Sequence, residues 1–253
     1  MNVPLFHRRE GSGPPLVVLH GLFGSCDNWG TIGRALSGEF DVVLVDQRDH
    51  GRSPHTDHID YNAMAEDVHA LVTLLGLSDI RLVGHSMGGK TAMVFAQRWP
   101  ELLKHLVVID IGPREYALSY HGPIIEALLS SDLPGKRSRK EVEEHLSAHI
   151  PEVGMVQFLM KSLYWEKPDQ LGWRFNVPVI ARDIGHILAG IAHDTVRVPT
   201  LFVRGGKSDY IQRADIPAIK EQFVNARVET VEFASHWVQA QAPDEVMAFI
   251  RSL

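Results

Sequence analysis

Residues 80–91 read IRLVGHSMGGKT, in which a short apolar run is followed by GHSMG at 84–88 and then by a helical pattern. This is the nucleophile-elbow pattern, in which a sharp turn between a strand and a helix lifts a serine hydroxyl out of the backbone. Gly84 and Gly88 are required because a tight elbow brings neighbouring backbones too close for a Cβ atom. The strand before the motif and the helix after it make the pattern specific, and they predict Ser86 as a nucleophile.

The composition narrows the class of protein. The 253 residues include 45% hydrophobic and 22% charged residues, which is ordinary for a soluble globular protein. The net charge is −6 and no basic block appears, so neither nucleic acid nor an acidic membrane surface is expected as a partner. No signal pattern begins the chain, and no apolar run approaches membrane-spanning length. Cys26 is the single cysteine, which excludes an intrachain disulfide and favours a reducing cytoplasm.

Strand and helix patterns alternate along most of the chain. Several strand-like runs are apolar on both faces, as buried parallel strands are, and they lie at 16–20, 42–46, 80–84, 106–110, 200–204 and 228–233. Helical patterns lie between them; at 61–76, for example, apolar residues recur at the spacing of a helix and Gly76 supplies a stop. This alternation predicts an α/β fold with a mostly parallel, doubly wound sheet.

The alternation stops at residues 113–195. That stretch is more helical, and five prolines divide it into short pieces: Pro123, Pro134, Pro151, Pro168 and Pro178. An insertion of this length between two sheet strands is interpreted as a helical cap over the site rather than as additional helical packing. The predicted organisation is therefore an α/β core at 1–112 and 196–253, with a helical cap at 113–195 placed before the last sheet strands.

The nucleophile needs a base, and His236 is the candidate. A serine hydroxyl attacks poorly unless a base removes its proton and a third group orients that base. The chain order expected for this fold is serine, acid, histidine. Among the 14 histidines, His236 follows the last apolar run and precedes a predicted terminal helix at 243–253. A loop histidine in that position falls over the elbow.

Two aspartates are candidates for the acid. In open α/β sheets, functional groups lie beyond the carboxyl ends of the strands. Asp110 ends the run one strand after the elbow, and Asp209 lies in GGKSDY at 205–210, after the next predicted sheet strand. Each could instead have a purely structural role, Asp110 as the cap of a helix or turn before Gly112 and Asp209 as a turn residue. From the pattern alone, both remain open.

The negative charge that develops on an attacked carbonyl oxygen needs fixed donors. The backbone N–H of Met87, the residue after the nucleophile, is one candidate. The second is expected from HGLFG at 20–24, directly after the first strong strand, with Leu22 N–H as the choice and Phe23 N–H as the fallback. His20 is expected to support that loop by hydrogen bonding rather than to take part in catalysis.

Taken together, these motifs resemble the α/β-hydrolase superfamily over essentially the whole chain. More narrowly, the chain resembles the bacterial YbfF-type esterases and their mitochondrial relatives in animals. The resemblance is carried by HGLFGS at 20–25, DQRDHGRS at 46–53, GHSMGGK at 84–90, IDIGP at 109–113, WRFN at 173–176 and HWV at 236–238.

The resemblance implies a serine carboxylesterase or thioesterase that acts on small esters and acyl-CoA thioesters without a cofactor or metal. It matches Ser86 to the nucleophile, His236 to the base and Asp110 to the acid, with Ser208 as a further partner of the histidine. Asp209 departs from the pattern and remains the alternative acid. Residues expected to contact a substrate of short to medium acyl length are Phe23, His85, Arg174 and Trp237.

Other functions are compatible with the same scaffold. One is a carbon–carbon hydrolase or menaquinone-pathway lyase, and another is a non-catalytic ligand receptor, against which the intact candidate residues argue. GGKT at 88–91 lacks the leading glycine of a phosphate loop, so nucleotide binding is not expected. A small-molecule substrate and a monomer or homodimer are expected.

Overall fold

In the computed structural model, which describes residues 2–253, seven strands form one sheet and two more form a hairpin. In chain order the strands are β1 (His7–Glu10), β2 (Pro15–Leu19), β3 (Asp41–Val45), β4 (Ile80–His85), β5 (Leu103–Ile109), β6 (Leu163–Lys167), β7 (Gln170–Trp173), β8 (Thr200–Gly205) and β9 (Ala226–Val231). The sheet order is β1-β3-β2-β4-β5-β8-β9, and all neighbours are parallel except β1, which runs antiparallel to β3. The predicted fold class is confirmed.

The helices found between residues 2 and 253 are α1 (Gly30–Leu36), α2 (Tyr61–Leu74), α3 (Met87–Arg98), α4 (His121–Leu129), α5 (Arg139–His149), α6 (Val153–Met160), α7 (Val177–Leu188), α8 (Ile216–Gln222), α9 (Val238–Gln241) and α10 (Pro243–Arg251). Short 3₁₀ turns lie at Cys26–Trp29, Pro100–Leu102, Leu133–Gly135 and Arg213–Asp215. In this part of the chain no helix is both long and apolar enough to cross a membrane.

Local signals explain where α2 begins and ends. Asp60 caps its first turn, since its carboxylate accepts a hydrogen bond from the backbone N–H of Ala63 at 2.7 Å. Beyond the last turn, Gly76 has a φ of +64°, a left-handed conformation that glycine adopts without a steric cost. The 61–76 pattern therefore predicted this helix to within two residues at its end.

Alternating residues of the central strands build an apolar layer on each face of the sheet. In β2, Leu16 and Val18 belong to the layer shared with α1 and α10, whereas Val17 and Leu19 belong to the layer shared with α2 and α3. Burial of both faces is why these strands read as continuous apolar runs. The arrangement brings the carboxyl ends of β4, β5 and β8 to one edge of the sheet, where ligands bind in open α/β folds.

Two elements were not predicted. Strand β1 has the sequence HRRE and lies at the sheet edge, so its side chains are exposed or half-buried and no apolar pattern marks it. The β6–β7 hairpin lies inside the segment that was predicted to be more helical than the rest, and Pro168-Asp169 forms the turn of the hairpin rather than a break between helices. Asp169 has a φ of +61°, which the turn requires. Residues 113–195 are thus mostly helical, as expected, but they also contain a hairpin that the sequence did not suggest.

The segment 113–195 leaves and rejoins the sheet at nearly one point. Backbone hydrogen bonds join its two ends, from Tyr116 N–H to the Leu188 carbonyl and from Ile191 N–H to the Pro113 carbonyl, both at 2.9 Å. We call these paired ends, residues 113–116 and 188–191, the neck.

Candidate active site

The turn between β4 and α3 holds Ser86 in a conformation that few residues adopt. Its φ is +52° and its ψ is −121°, and this strain exposes the hydroxyl at the top of the sheet. A Cβ atom on Gly84 would lie 2.2 Å from the Gly88 carbonyl oxygen, and one on Gly88 would lie 2.5 Å from the His20 carbonyl oxygen. Only glycine fits at both positions, for the reason that the sequence suggested.

A continuous hydrogen-bond chain joins Ser86, His236 and Asp110. His236 Nε2 lies 3.0 Å from Ser86 Oγ, and His236 Nδ1 lies 2.8 Å from Asp110 Oδ2. With Nδ1–H donating to the carboxylate, the lone pair of Nε2 faces the serine hydroxyl. The ring of Tyr210 stacks on the imidazole with their centroids 3.8 Å apart. Tyr210 was not singled out from the sequence, because no motif marks it.

Of the two candidate acids, the structure brings Asp110 to His236 and leaves Asp209 outside. Asp110 is fully buried, and its Oδ1 accepts a hydrogen bond from Gly205 N–H at 2.9 Å. The hydroxyl of Ser208 donates to Asp110 Oδ2. Ser208 had been expected to contact the histidine, but its hydrogen bond is with the acid. The Asp209 side chain is exposed, and within residues 2–253 it forms no hydrogen bond with His236.

The loop expected to supply the second oxyanion donor is fixed by His20. Its Nδ1–H donates to the Gly21 carbonyl at 2.8 Å, and its Nε2 accepts from Gln47 N–H at 3.0 Å. Within the described residues, the backbone N–H groups of Leu22 and Phe23 have no hydrogen-bond acceptor. Free N–H donors near the half-buried Ser86 are what a developing oxyanion requires. His20 thus has the supporting position that the sequence suggested.

The residues expected to contact substrate separate into two groups. Phe23, His85 and Trp237 line a cavity that reaches Ser86. Arg174 does not line the cavities at Ser86, because its guanidinium lies over the Tyr164 ring at 4.3 Å. The structure therefore does not place Arg174 with the residues expected to bind substrate; its guanidinium packs on an aromatic ring of the β6–β7 hairpin.

His85 also has a structural role that the sequence did not reveal. Its Nε2–H donates to the His236 backbone carbonyl at 2.9 Å, and its Nδ1 accepts from the Gln239 side-chain amide at 3.3 Å. Burial lowers the pKa of His85 to about 3, so the ring is neutral and keeps one donor and one acceptor. The contact fixes the loop that carries His236.

One group of metal-ligand side chains lies away from this site. Ligand atoms of His58, Asp183 and His186 lie within 4.8 Å of one another. The Arg182 guanidinium donates to both carboxylate oxygens of Asp183, at 2.7 and 2.8 Å, so that carboxylate already has a cationic partner. His58 is distant in sequence from the other two residues, and Asp183 and His186 match no metal-binding motif, so the sequence does not mark this group.

Acidification from about pH 7 to about pH 4 is expected to destabilise the fold, because His50 and His85 are buried as neutral rings. Burial lowers the pKa of each to about 3. In the unfolded chain a histidine has a pKa of about 6.5. Below that pH the unfolded state binds protons that the folded state does not, so the free energy of unfolding falls by up to about 1.4 kcal/mol per pH unit for each ring.

Urea unfolding of the wild type and of His50→Gln at several pH values measures this slope. In the variant, unfolding should take up about one proton fewer than in the wild type, so the free energy of unfolding should depend less steeply on pH. His149→Gln, at an exposed position on α5, is the control and should keep the wild-type slope. Equal slopes for His50→Gln and wild type would contradict the assignment.

A parallel sheet with a serine at a strained strand–helix turn, joined to a histidine and an aspartate from later loops, defines the alpha/beta hydrolases as a class. Comparison with known proteins agrees. The profile of the alpha/beta hydrolase fold matches residues 14–132. Esterase YbfF of Escherichia coli K12 is 34% identical over 244 residues, which cover 96% of this chain and 94% of that protein.

Two further relatives are similar over most of their length. The mouse sn-1-specific diacylglycerol lipase ABHD11 is 37% identical over 247 residues, covering 94% of this chain and 80% of that protein. A solved structure of a marine microorganism esterase is 42% identical, covers 99% of both chains and superposes with a TM-score of 0.96. The chain belongs to the alpha/beta-hydrolase family and, within it, to the branch of YbfF-like esterases. The predicted enzyme class, an ester hydrolase, is confirmed.

Proposed function

We propose that the protein hydrolyses carboxylic esters of short to medium acyl length through an acyl-enzyme on Ser86, with His236 as the base and Asp110 as the acid. The observation that supports this assignment is the hydrogen-bond chain from the buried Asp110 carboxylate through both nitrogens of His236 to Ser86 Oγ. Each link is within the 2.6–3.2 Å reach that proton transfer needs.

In the first step, Ser86 Oγ attacks the ester carbonyl carbon while its proton moves to His236 Nε2. The imidazolium that forms is stabilised by the Asp110 carboxylate, which has no contact with solvent. His236 Nε2 then gives the proton to the leaving alkoxide, so that an alcohol departs and an acyl ester on Ser86 remains. In the second step, His236 Nε2 takes a proton from water as the water oxygen bonds to the acyl carbon. The bond between that carbon and Ser86 Oγ then breaks, His236 returns the proton to Oγ, and the carboxylic acid leaves.

The negative charge of each tetrahedral intermediate falls on the former carbonyl oxygen. We assign its two donors to the backbone N–H groups of Met87 and Leu22. Met87 is the first residue of α3, so its N–H has no acceptor within the helix. Such fixed donors are worth about 10²–10³ in rate for each one. Phe23 remains the alternative to Leu22.

The space around Ser86 supports a small acyl group. A cavity of about 40 Å³ with apolar side chains such as Ile124, Met155 and Phe158 reaches the serine. A larger groove of about 580 Å³ opens on the far side of His236, between Tyr120 and Lys207. Because His236 protonates the leaving group, we place the alcohol in the groove and the acyl group in the smaller space.

A ladder of p-nitrophenyl esters from acetate to palmitate should give the highest kcat/KM between acetate and hexanoate. The small apolar cavity has room for few methylenes, and each one that it does bury contributes about 0.8 kcal/mol. Steady-state hydrolysis at equal enzyme concentration measures the profile. An optimum at palmitate would contradict the proposed acyl site, and no hydrolysis of any ester would favour the carbon–carbon hydrolase, lyase or receptor alternatives.

We propose further that the protein also hydrolyses acyl-CoA thioesters and that it is located in the cytoplasm. Attack on an acyl-CoA thioester is the same step at the same carbonyl carbon, and the exposed ammonium group of Lys207 in the groove is a partner suited to phosphate. Cytoplasmic location is consistent with the single cysteine, Cys26, which is buried as a free thiol. We also propose that residues 113–195 act as a cap, since Tyr120, Met155 and Phe158 line the cavity that reaches Ser86.

A further inference from the structure

Lys90 lies in the second turn of the nucleophile helix α3 and has no exposure to solvent. Fully buried lysines are rare because removing an ammonium group from water is costly unless its hydrogen bonds are replaced. Here all three partners are backbone carbonyls. The ammonium group donates to the Arg114 carbonyl at 2.8 Å, to the Leu188 carbonyl at 3.4 Å and to the Ala189 carbonyl.

Those three carbonyls belong to the two sides of the neck. Arg114 lies where the 113–195 segment begins, and Leu188 and Ala189 lie where α7 ends. The neck's own hydrogen bonds join its two sides to each other but not to the sheet. Lys90 therefore connects both ends of the segment to the helix that carries Ser86 at its N-terminus.

The same ammonium group contacts side chains that face the serine. It lies 4.8 Å from the centroid of the Tyr116 ring and 5.6 Å from that of Tyr61. Tyr61, Tyr116 and Leu188 line a second small pocket at Ser86, of about 20 Å³. This pocket adjoins the cavity in which we place the acyl group, because Leu22, Ser86 and Tyr210 line both. The wall of the second pocket is thus attached to α3 through one charged group.

A second line of contacts runs from Tyr116 to the proposed base. The Tyr116 hydroxyl accepts a hydrogen bond from Gly112 N–H at 2.8 Å and donates to the Tyr210 carbonyl at 2.7 Å. The ring of Tyr210 in turn stacks on His236. A displacement of Tyr116 would therefore reach both the wall beside Ser86 and the ring beside His236.

We propose that Lys90 is a positioning residue for the reaction, which fixes the neck and the Tyr61–Tyr116–Leu188 wall against the nucleophile and thereby sets which acyl groups fit beside Ser86. This inference rests on the proposed hydrolysis at Ser86. Lys90 itself touches no reacting atom. It acts through the carbonyls that it holds and through the rings of Tyr61 and Tyr116.

The surroundings of Lys90 disfavour the charged form of its side chain. Burial and, to a smaller extent, the Arg114 guanidinium lower the pKa of Lys90 to about 7, and the Glu115 carboxylate opposes both effects. An ammonium group has three N–H donors, and three carbonyls surround it. Methionine has a similar length and helix propensity but no donor, so Lys90→Met would leave those carbonyls without a partner.

The test compares the wild type, Lys90→Met and Lys90→Gln, each at a concentration of active serine determined by titration with a fluorophosphonate. The ester ladder gives kcat and KM for each acyl length. With the wall released, we expect Lys90→Met to lower kcat/KM for the preferred ester by about 10- to 100-fold. We also expect its optimum to shift towards longer acyl groups, and Lys90→Gln, which keeps two donors, to recover part of the loss.

Hydrogen exchange gives a readout that does not depend on activity. The amides of Tyr116 and Ile191, which form the neck's backbone bonds, should exchange faster in Lys90→Met than in the wild type. The matched control is Gln97→Met on the same helix, since the Gln97 amide donates to the Ala192 carbonyl at 2.7 Å, beyond the neck and away from the wall. It should keep the wild-type acyl profile.

The outcomes separate this inference from the proposed function. A wild type that hydrolyses no ester overturns the proposed function. An active wild type whose acyl optimum and kcat/KM per titrated serine are unchanged in Lys90→Met overturns the positioning role alone. Failure of both Lys90 variants to fold, or a uniform loss at every acyl length without faster neck exchange, would assign the ammonium group to stability only and would also overturn it.

Discussion

Replacing Ser86 with alanine is expected to lower kcat for ester hydrolysis by about 10⁴- to 10⁶-fold, which is the range for removing a serine nucleophile that acts together with its base. Alanine removes only the hydroxyl that contacts His236 Nε2 at 3.0 Å. The elbow itself depends on Gly84 and Gly88, which remain, so the variant should unfold at the wild-type temperature.

Steady-state kinetics with the preferred p-nitrophenyl ester and a thermal unfolding scan together check this expectation. Ser130→Ala is the matched control, because Ser130 is an exposed serine at the end of α4 and not part of the site. It should keep wild-type activity and react once with a fluorophosphonate, whereas Ser86→Ala should not react. Hydrolysis by Ser86→Ala within tenfold of the wild type would refute the acyl-enzyme assignment.

Asp110→Asn is expected to cost about 10³- to 10⁴-fold in kcat, comparable to loss of the orienting carboxylate in other serine triads. The amide has an N–H group that competes for the place of Oδ2, where both His236 Nδ1 and the Ser208 hydroxyl now donate. The imidazole would then adopt the wrong tautomer, and the imidazolium formed during attack would have no anionic partner. KM should change little, since Asp110 is buried beneath the histidine and does not line the cavities at Ser86.

Asp209→Asn is the control that the chain itself provides, because its exposed carboxylate makes no hydrogen bond with His236 in the described structure. Its kcat/KM should stay close to the wild-type value. Both variants are compared under conditions where urea unfolding shows each to be folded, since Asp110→Asn leaves buried donors imperfectly matched at a cost of about 1–3 kcal/mol. A larger loss in Asp209→Asn than in Asp110→Asn would transfer the role of acid to Asp209.

The parts of the fold that the sequence predicted are those in which burial and periodicity coincide. The central parallel strands are apolar on both faces, so the sequence shows them as continuous apolar runs. Helix α2 has an N-terminal cap, apolar residues at helical spacing and a glycine after its last turn. Strand β1 is an exposed edge whose pairing with β3 is specified by backbone groups and not by apolar side chains. The β6–β7 hairpin was missed because Pro168 was interpreted as a helix break although it lies in the turn of the hairpin.

At the site, Ser86 and His236 could be selected because motif and chain order restrict them. The pattern alone left the acid open between two aspartates that follow suitable strands, although the family resemblance favoured Asp110. The tertiary structure brings the Asp110 carboxylate to His236 Nδ1. Tyr210 and Gln239 contact the site across long sequence separations and carry no local signature. Arg174 illustrates the opposite error: its motif drew attention, but its guanidinium rests on Tyr164.

The neck has a consequence for modularity. The two ends of 113–195 are paired through Tyr116 and Ile191, so a replacement segment would begin and end at neighbouring points. The entropy cost of closing such a loop grows only slowly with its length. Domain insertions are tolerated where the ends lie close together in this way. The seven-stranded sheet lies outside residues 113–195, and so do Ser86, Asp110 and His236. Recombination at these two junctions therefore offers a route by which one hydrolytic core acquires new substrate ranges.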